Sequence, residues 1–154
     1  MRIDRVALVI LGVIAVVMTV NYVTATSRFL DANRAYDGLT LTLQDFSFTD
    51  AASPVVVDIA IENPVDSDVE ILAINLTLRA GIQSVGGEGI RVDEVLAQGE
   101  TRVYRIDARI TDQNIVRQLE GEEIRWLIRG EIQVRLDDDL EPVWIQFSVR
   151  TVTP

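Results

Sequence analysis

VVVDIAIENP, residues 55–64, has the clearest structural pattern in this sequence. Its apolar residues at odd positions share one face of an extended chain, and the residues between them share the other. Asn63-Pro64 ends the run, because proline has no N–H to donate to a strand ladder. The stretch therefore predicts a β-strand with one buried face, formed by Val55, Val57, Ile59 and Ile61.

The same period of two recurs along most of the chain. A one-residue slip near Asp45 predicts a β-bulge in the first strand, and the glycines at 86, 87 and 89 predict a turn over Ser84–Gly89 between two short strands. In the strand before that turn, the face assigned to the core is Leu72, Ile74, Leu76 and Leu78. The longer strands are predicted over 39–48, 55–62, 72–79, 103–110, 125–136 and 143–149.

One short helix interrupts this pattern. Thr111 or Asp112 can cap it, Ile115, Val116 and Leu119 form its apolar stripe, and Gly121 is placed to end it. No strand–helix–strand rhythm follows, so the pairing is expected to be antiparallel. The predicted fold is mainly β: an immunoglobulin/fibronectin-like antiparallel β-sandwich of about seven strands with one short helix, over residues 39–154.

A separate apolar segment precedes this domain. Val6–Val20 carries no charge, and residues 6–25 are long enough as a helix to cross a bilayer core of about 30 Å. Arg2 and Arg5 stand before it and favour a cytoplasmic amino terminus. Residues 1–25 are thus predicted to be a single transmembrane anchor, with the lipid bilayer as partner through residues 6–25. Residues 26–38 are predicted as a helical stalk, and the β domain is expected outside the cytoplasm.

A cleaved signal peptide is the alternative for this segment. Its 15-residue apolar run fits the hydrophobic region of such a peptide, and Val23-Thr24-Ala25 has the small-x-small pattern of a cleavage site. Cleavage would leave a mature chain beginning near Thr26. The β domain would still be exported.

Composition removes most catalytic chemistry. The chain has no histidine and no cysteine, and all 14 of its basic residues are arginine. Serine–histidine–carboxylate, cysteine–histidine, serine–lysine and Schiff-base mechanisms therefore lack their groups, as does histidine-ligated zinc. A net charge of −10 also opposes binding to nucleic acid. We expect no enzymatic activity, no cofactor and no metal.

Three acidic groups are candidates for a ligand site. Asp66, Asp68 and Glu70 could offer oxygens to calcium, as could the acidic turn Asp137-Asp138-Asp139 with Glu141. Asp58 and Glu62 could in principle form a glycosidase-like pair. Acidic residues at turns ordinarily make local backbone hydrogen bonds, and those on strand faces are ordinarily solvated, so each group is interpreted as structural.

The two tryptophans receive different predictions. Trp126 shares a face with Ile128 and Ile132 and is expected in the core. Trp144 falls on the polar face of its strand and is the candidate surface contact. Asn75-Leu76-Thr77 matches a glycosylation sequon, a pattern that often occurs by chance. Asn63-Pro64 is interpreted as a turn and not as a ligand site.

Four segments follow one another in a recognisable order: VVVDIAIENP (55–64), ILAINLTLRAG (71–81), Gln98-Gly99-Glu100-Thr101, and WLIRGEIQV (126–134) with Gly130. In this order and spacing they resemble a known family, the late embryogenesis abundant proteins of the second group, whose domain is called WHy (water stress and hypersensitive response). The resemblance covers roughly residues 39–151, and Gly130 occupies the family's small-residue position. Asn63-Pro64 is followed here by Val65, where family members often have a second asparagine.

The resemblance implies a fibronectin-like sandwich with one helix, often behind a transmembrane segment and associated with desiccation or other stress. The family has no established enzymatic activity that could be assigned to residues of this chain. The expected function is therefore a non-enzymatic, membrane-anchored, extracytoplasmic protein of the stress-protective type. The alternative is an accessory structural subunit of a larger membrane protein complex, in contact with other membrane or envelope proteins.

Overall fold

The protein is described here by a computed structural model that covers residues 16–24, 38–119, 123–136 and 140–153. The chain divides into two compact units, Met1–Asp37 and Gly38–Pro154. In the first unit, residues 16–24 are helical and exposed. The remainder of the predicted anchor, and the predicted stalk up to residue 37, lie outside the described residues. Within the described ranges, no helix is both long enough and apolar enough to cross a bilayer.

The second unit is built from seven antiparallel strands and one short helix. Each strand pairs with its neighbours in the order β1-β2-β5-β4-β3-β6-β7. The mainly β, antiparallel fold with about seven strands is confirmed. The bounds are β1 Thr40–Ser47, β2 Val55–Glu62, β3 Val69–Ala80, β4 Gln83–Leu96, β5 Thr101–Ile110, α1 Gln113–Leu119, β6 Ile124–Arg135 and β7 Val143–Thr153.

The sheet curls until it is nearly closed. Strands β1, β2 and β5 are paired along their lengths, as are β4, β3, β6 and β7, but β4 and β5 share only two residue pairs, at Gly86 and Gly87. The rings of Phe46 and Phe48, at the end of β1, lie 5.5 and 5.1 Å from the ring of Trp126 in β6. The two ends of the sheet therefore meet across one apolar core.

The segment 55–64 packs as its alternation of apolar and polar residues predicts. In β2 the odd-numbered apolar residues are buried, and they face apolar residues of β5 across the ladder, with Val57 opposite Ile106 and Ile59 opposite Tyr104. Burial of one such aliphatic side chain contributes roughly 1.5–3 kcal/mol. The predicted bulge is also present, because the register of β1 shifts between Leu43 and Asp45.

The predicted turn at Ser84–Gly89 is wrong, since this segment is the middle of a continuous 14-residue strand, β4. Its glycines serve close approach to neighbouring backbone. A Cβ on Gly86 would lie 2.0 Å from the carbonyl oxygen of Arg109, and one on Gly87 would lie 2.3 Å from that of Leu76. Glycine inside a strand marks such contacts as well as turns.

One predicted core residue of β3 is also misplaced. Leu72 is only half-buried, whereas Ile71 is fully buried. The register of β3 shifts between Ile71 and Ala73 against both of its neighbours, which is the mark of a bulge. The bulge moves the inward face by one residue, and Ile74, Leu76 and Leu78 then lie inward as predicted.

The helix α1 is present as predicted, whereas Gly121, predicted to end it, lies outside the described residues. Oδ1 of Asp112 accepts a hydrogen bond from the backbone N–H of Ile115 at 3.4 Å, which identifies Asp112 as the capping residue. Val116 is fully buried. The backbone N–H groups of Thr111 and Asp112 both donate to the carbonyl of Val85, at 2.8 and 3.0 Å, and so fix the start of the helix against β4.

Candidate contact surface

The outward face of β3, β6 and β7 presents Trp144. Its side chain is 42% exposed, and it lies opposite Gln133 of β6, which in turn lies opposite Ala73 of β3. Trp144 lies on the edge strand β7 with one cross-strand neighbour, an amide, and is open to contact from outside the sheet. An exposed aromatic ring with a polar edge is a frequent contact residue at protein interfaces.

A polar groove of about 670 Å³ adjoins it along the same face. Two cross-strand rows line this groove: Asn75, Glu131 and Gln146 form one, and Thr77, Arg129 and Ser148 form the next. Nδ2 of Asn75 donates to Oε1 of Glu131 at 3.2 Å, so the sequon asparagine is engaged within the sheet. The groove offers donors and acceptors for a polar contact.

The acidic group at Asp66, Asp68 and Glu70 makes separate contacts. Nε2 of Gln98 donates to Asp66 at 2.8 Å, and the backbone N–H of Gln98 donates to Asp68 at 3.2 Å. Glu70 accepts from Arg135 at 2.6 and 2.8 Å. Among the described residues, no three carboxylates come together as metal ligands. The second candidate group, Asp137-Asp138-Asp139, lies outside those residues.

Asp58 and Glu62 are spaced too widely for a glycosidase pair. They stand four residues apart on β2, which separates their Cα atoms by roughly 13 Å at about 3.3 Å per residue. Catalytic carboxyl pairs require separations of roughly 5–9.5 Å. Asp58 lies opposite Asp45 and Arg105, and Glu62 lies opposite Thr40 and Thr101, so each belongs to an ordinary strand ladder.

The groups with displaced pKa values stabilise turns and ladders. The backbone N–H of Ala97 and the guanidinium of Arg102 lower the pKa of Glu100. Glu94 and Glu100 together raise the pKa of Arg102. Burial raises the pKa of Tyr104, whose side chain lies in the core. This arrangement holds the turn between β4 and β5, and a nucleophile paired with a base does not occur in it.

Asn63 has a structural role that sequence reasoning underestimates. It is fully buried, and its Nδ2 donates to the carbonyls of Ser67 and Leu96 at 2.9 and 3.0 Å. Its backbone N–H and carbonyl bond Glu100 and Gly99 at 2.9 and 2.7 Å. The predicted turn is present, and in addition this side chain joins it to the turn between β4 and β5. Asn-Pro at the end of a core strand is the only sequence signal for this role.

Trp126 lies in the core, as predicted. It is 1% exposed, and its indole N–H donates to Oγ1 of Thr153 at 2.9 Å. A buried indole needs such a partner, because an unpaired N–H in an apolar core is costly. Trp126 is therefore a packing residue, and Trp144 is the tryptophan available to a partner.

Comparison with known proteins identifies the fold. No family model matches the chain, and no curated protein matches it. The solution structure of a late embryogenesis abundant (LEA) protein, At2g46140.1, is similar over 90% of this chain and 83% of that one, with a TM-score of 0.60 and 14% identity. The solution structure of AT1g01470 from Arabidopsis thaliana is similar over 74% of this chain and 83% of that one, with a TM-score of 0.53 and 16% identity.

These likenesses extend over most of the compared chains at low identity, so they establish the fold. The sequence resemblance rested on the segments 55–64, 71–81, 98–101 and 126–134 in this order along the chain. The resemblance is confirmed at the level of structure: this chain has the fold of a late embryogenesis abundant protein.

Proposed function

We propose that the protein is a non-enzymatic, membrane-anchored, extracytoplasmic protein that protects the cell envelope during desiccation or related stress. The observation that carries the proposal is the shared fold with a late embryogenesis abundant protein. The chain also lacks histidine, lysine and cysteine, which removes the usual general bases and nucleophiles. The protein acts through its folded surface.

The amino-terminal sequence supports the anchor. Val6–Val20 is uncharged and follows two arginines, a pattern typical of a span with its amino terminus in the cytoplasm. The exported side then carries the β domain, whose charge disfavours contact with anionic headgroups. Attachment therefore depends on the apolar segment.

We also propose that the seven strands are arranged as a fibronectin-like sandwich. The strand order supports it, because β1-β2-β5 and β4-β3-β6-β7 are the two fully paired runs and only two residue pairs join them. Phe46 and Phe48 reach Trp126 from the opposite run. Two layers packed face to face account for both features.

Survival of dried cells tests the function. A strain that lacks the protein should lose viability after drying and rehydration, and the full chain should restore it. Asp58→Asn, Glu62→Gln, Asp66→Asn and Asp68→Asn should each restore survival nearly as well, because no carboxylate performs chemistry. Complete failure of one of these variants, in a chain that still folds, would reveal a metal or catalytic site and contradict the proposal.

An accessory subunit of a membrane complex is the second candidate, and exposed Trp144 beside the polar groove favours it. Native gels of detergent extracts would separate the two candidates. A complex that is retained by the wild-type chain and by Val103→Ala, but lost in Trp144→Ala, would support the subunit. Val103 is a suitable control because it is an exposed apolar residue on β5, 53% accessible. Migration as the free chain in all three cases would favour the protective protein.

A further inference from the structure

The tip of β3, β6 and β7 carries an apolar hollow with an arginine rim. It has a volume of about 600 Å³, and its floor and walls are mainly apolar. Ile82 and Val152 line it and are 86% and 51% exposed, unusually open for aliphatic side chains. This volume falls within the range of small-molecule sites, roughly 300–1,000 Å³.

The arginines alternate with the apolar residues across the sheet. Arg79, Leu127 and Arg150 form one cross-strand row, so Leu127 is flanked by two guanidinium-bearing neighbours. In the next row, Arg125 lies opposite Val152. Adjacent strands are about 4.8 Å apart, which places the backbones of Arg79 and Arg150 roughly 10 Å apart across Leu127.

The positive charge of this rim is largely uncompensated. None of the nine lining residues is acidic. In the part of the chain that the structure describes, Arg150 forms no ion pair, and Arg125 reaches Glu123 only at 3.8 Å. Nη2 of Arg79 donates to the carbonyl of Ile82, while its Nε is buried without an acceptor. An unsatisfied buried donor is destabilising, and a hydrogen bond from a guanidinium to a carboxylate is stronger than one to a neutral acceptor.

We propose that this hollow binds a single-chain anionic amphiphile of the fatty-acid type. The carboxylate lies between the guanidinium groups of Arg79 and Arg150, and the hydrocarbon chain covers Ile82, Leu127 and Val152. An apolar lining disfavours sugars and nucleotides, whose hydroxyl groups would lose their hydrogen bonds to water. The net charge of −10 repels an anionic bilayer far more strongly than it repels one monovalent ligand.

Photolabelling tests the proposal on the full chain, held in nanodiscs of neutral phosphatidylcholine. The probe is a 16-carbon fatty acid with a diazirine on its chain, and the control is the alcohol of the same length. We expect the acid to label peptides that contain Ile82, Leu127 or Val152, about tenfold more than the alcohol does, as loss of a charge-assisted hydrogen bond implies. Equal labelling by acid and alcohol, or acid labelling confined to other peptides, would overturn the site.

Three variants sharpen the test. Arg150→Gln should reduce labelling by the acid about tenfold. Arg105→Gln removes the same charge from an exposed side chain on β5 and should leave labelling unchanged. Leu127→Asp should abolish labelling, because its carboxylate would occupy the place of the ligand between the arginines. Circular dichroism verifies that each variant is folded. An equal loss in Arg105→Gln, or binding to anionic vesicles without labelling by the free acid, would contradict the proposal.

Discussion

Asn63 is where a single side chain has the largest structural consequence. Among the described residues it is the one polar side chain that is fully buried, and it bonds three backbone groups, in Val65, Ser67 and Leu96. A buried backbone group without a partner costs about 1–3 kcal/mol. The Asn-Pro pair therefore does more than end β2, because it holds two turns at one end of the domain.

Replacement of Asn63 should destabilise the protein strongly. We expect Asn63→Ala to lower the free energy of unfolding by roughly 2–4 kcal/mol, because the carbonyls of Ser67 and Leu96 lose their donor. Urea denaturation of the purified chain measures this change. Asn75→Ala is the control, since Asn75 is half-buried on the outer face and should cost much less. Equal losses would mean that burial of Asn63 is not the cause.

Asp50 gives a pH-dependent prediction. The backbone N–H of Ala52 and then the hydroxyl and backbone N–H of Ser53 lower its pKa below the ordinary value of 3.8. A depressed folded-state pKa stabilises the fold at pH values above the unfolded-state pKa, and this contribution is lost as the pH falls through the folded value. The advantage in melting temperature of the wild type over Asp50→Ala should therefore be constant near neutral pH and shrink below about pH 4.

A control carboxylate separates this effect from general acid denaturation. Glu62 is exposed at the end of β2, and Glu62→Ala should change the melting temperature little at any pH. If the difference between wild type and Asp50→Ala persisted undiminished at pH 2.5, then the hydrogen bonds to the ionised carboxylate would not be its source.

At the scale of single elements, the period of two was sufficient for β5 and β6, whose buried residues are those of the predicted faces. It was also sufficient for β2, except that Ala60 is buried although it lies on the opposite face. It failed in β3 and β4 for two physical reasons. In β3, a bulge at Leu72 reverses which side chains point inward, and no residue type in the sequence indicates such a bulge. In β4, glycines occur where a neighbouring backbone approaches closely, and the sequence does not distinguish this use from a turn. Trp144 could be assigned to the outer face from parity alone, whereas the hollow rimmed by arginine depends on cross-strand register and was not predicted.

Gly86 should be intolerant of a side chain. We expect Gly86→Ala to lower the free energy of unfolding by about 1–3 kcal/mol, as overpacking does, because its Cβ would lie 2.0 Å from the carbonyl oxygen of Arg109. Urea denaturation is again the measurement. Ser84→Ala, at an exposed position of the same strand, should be nearly neutral. A neutral Gly86→Ala would show that β4 and β5 are not so closely joined.

Close packing explains why position 130, the small-residue position of the family resemblance, is a glycine. A Cβ there would lie 2.2 Å from the ring of Phe147 and 2.8 Å from Leu76. Gly130→Ala should therefore cost about 1–3 kcal/mol in the wild type, and much less in a Phe147→Leu background, where the ring is gone. A double-mutant cycle in urea measures this coupling. Strictly additive losses would contradict the contact.

At the scale of the whole molecule, the two ends of the domain differ. The chain enters at Gly38, beside the end held by Asn63, because Thr40 pairs with Glu62. The hollow lined by Arg79, Arg125 and Arg150 lies at the opposite end, where β3 and β7 finish.

Protease accessibility measures whether the β domain lies outside the cytoplasm, as proposed. Protease added to intact cells or spheroplasts should digest the β domain, detected by an antibody against Gly38–Pro154, and leave a membrane-protected fragment that contains residues 6–25. A cytoplasmic protein must remain intact in the same sample, and lysis before digestion verifies that the folded domain can be cleaved. A domain that is digested only after lysis would reverse the topology, and a mature chain that begins near Thr26 would replace the anchor with a cleaved signal peptide.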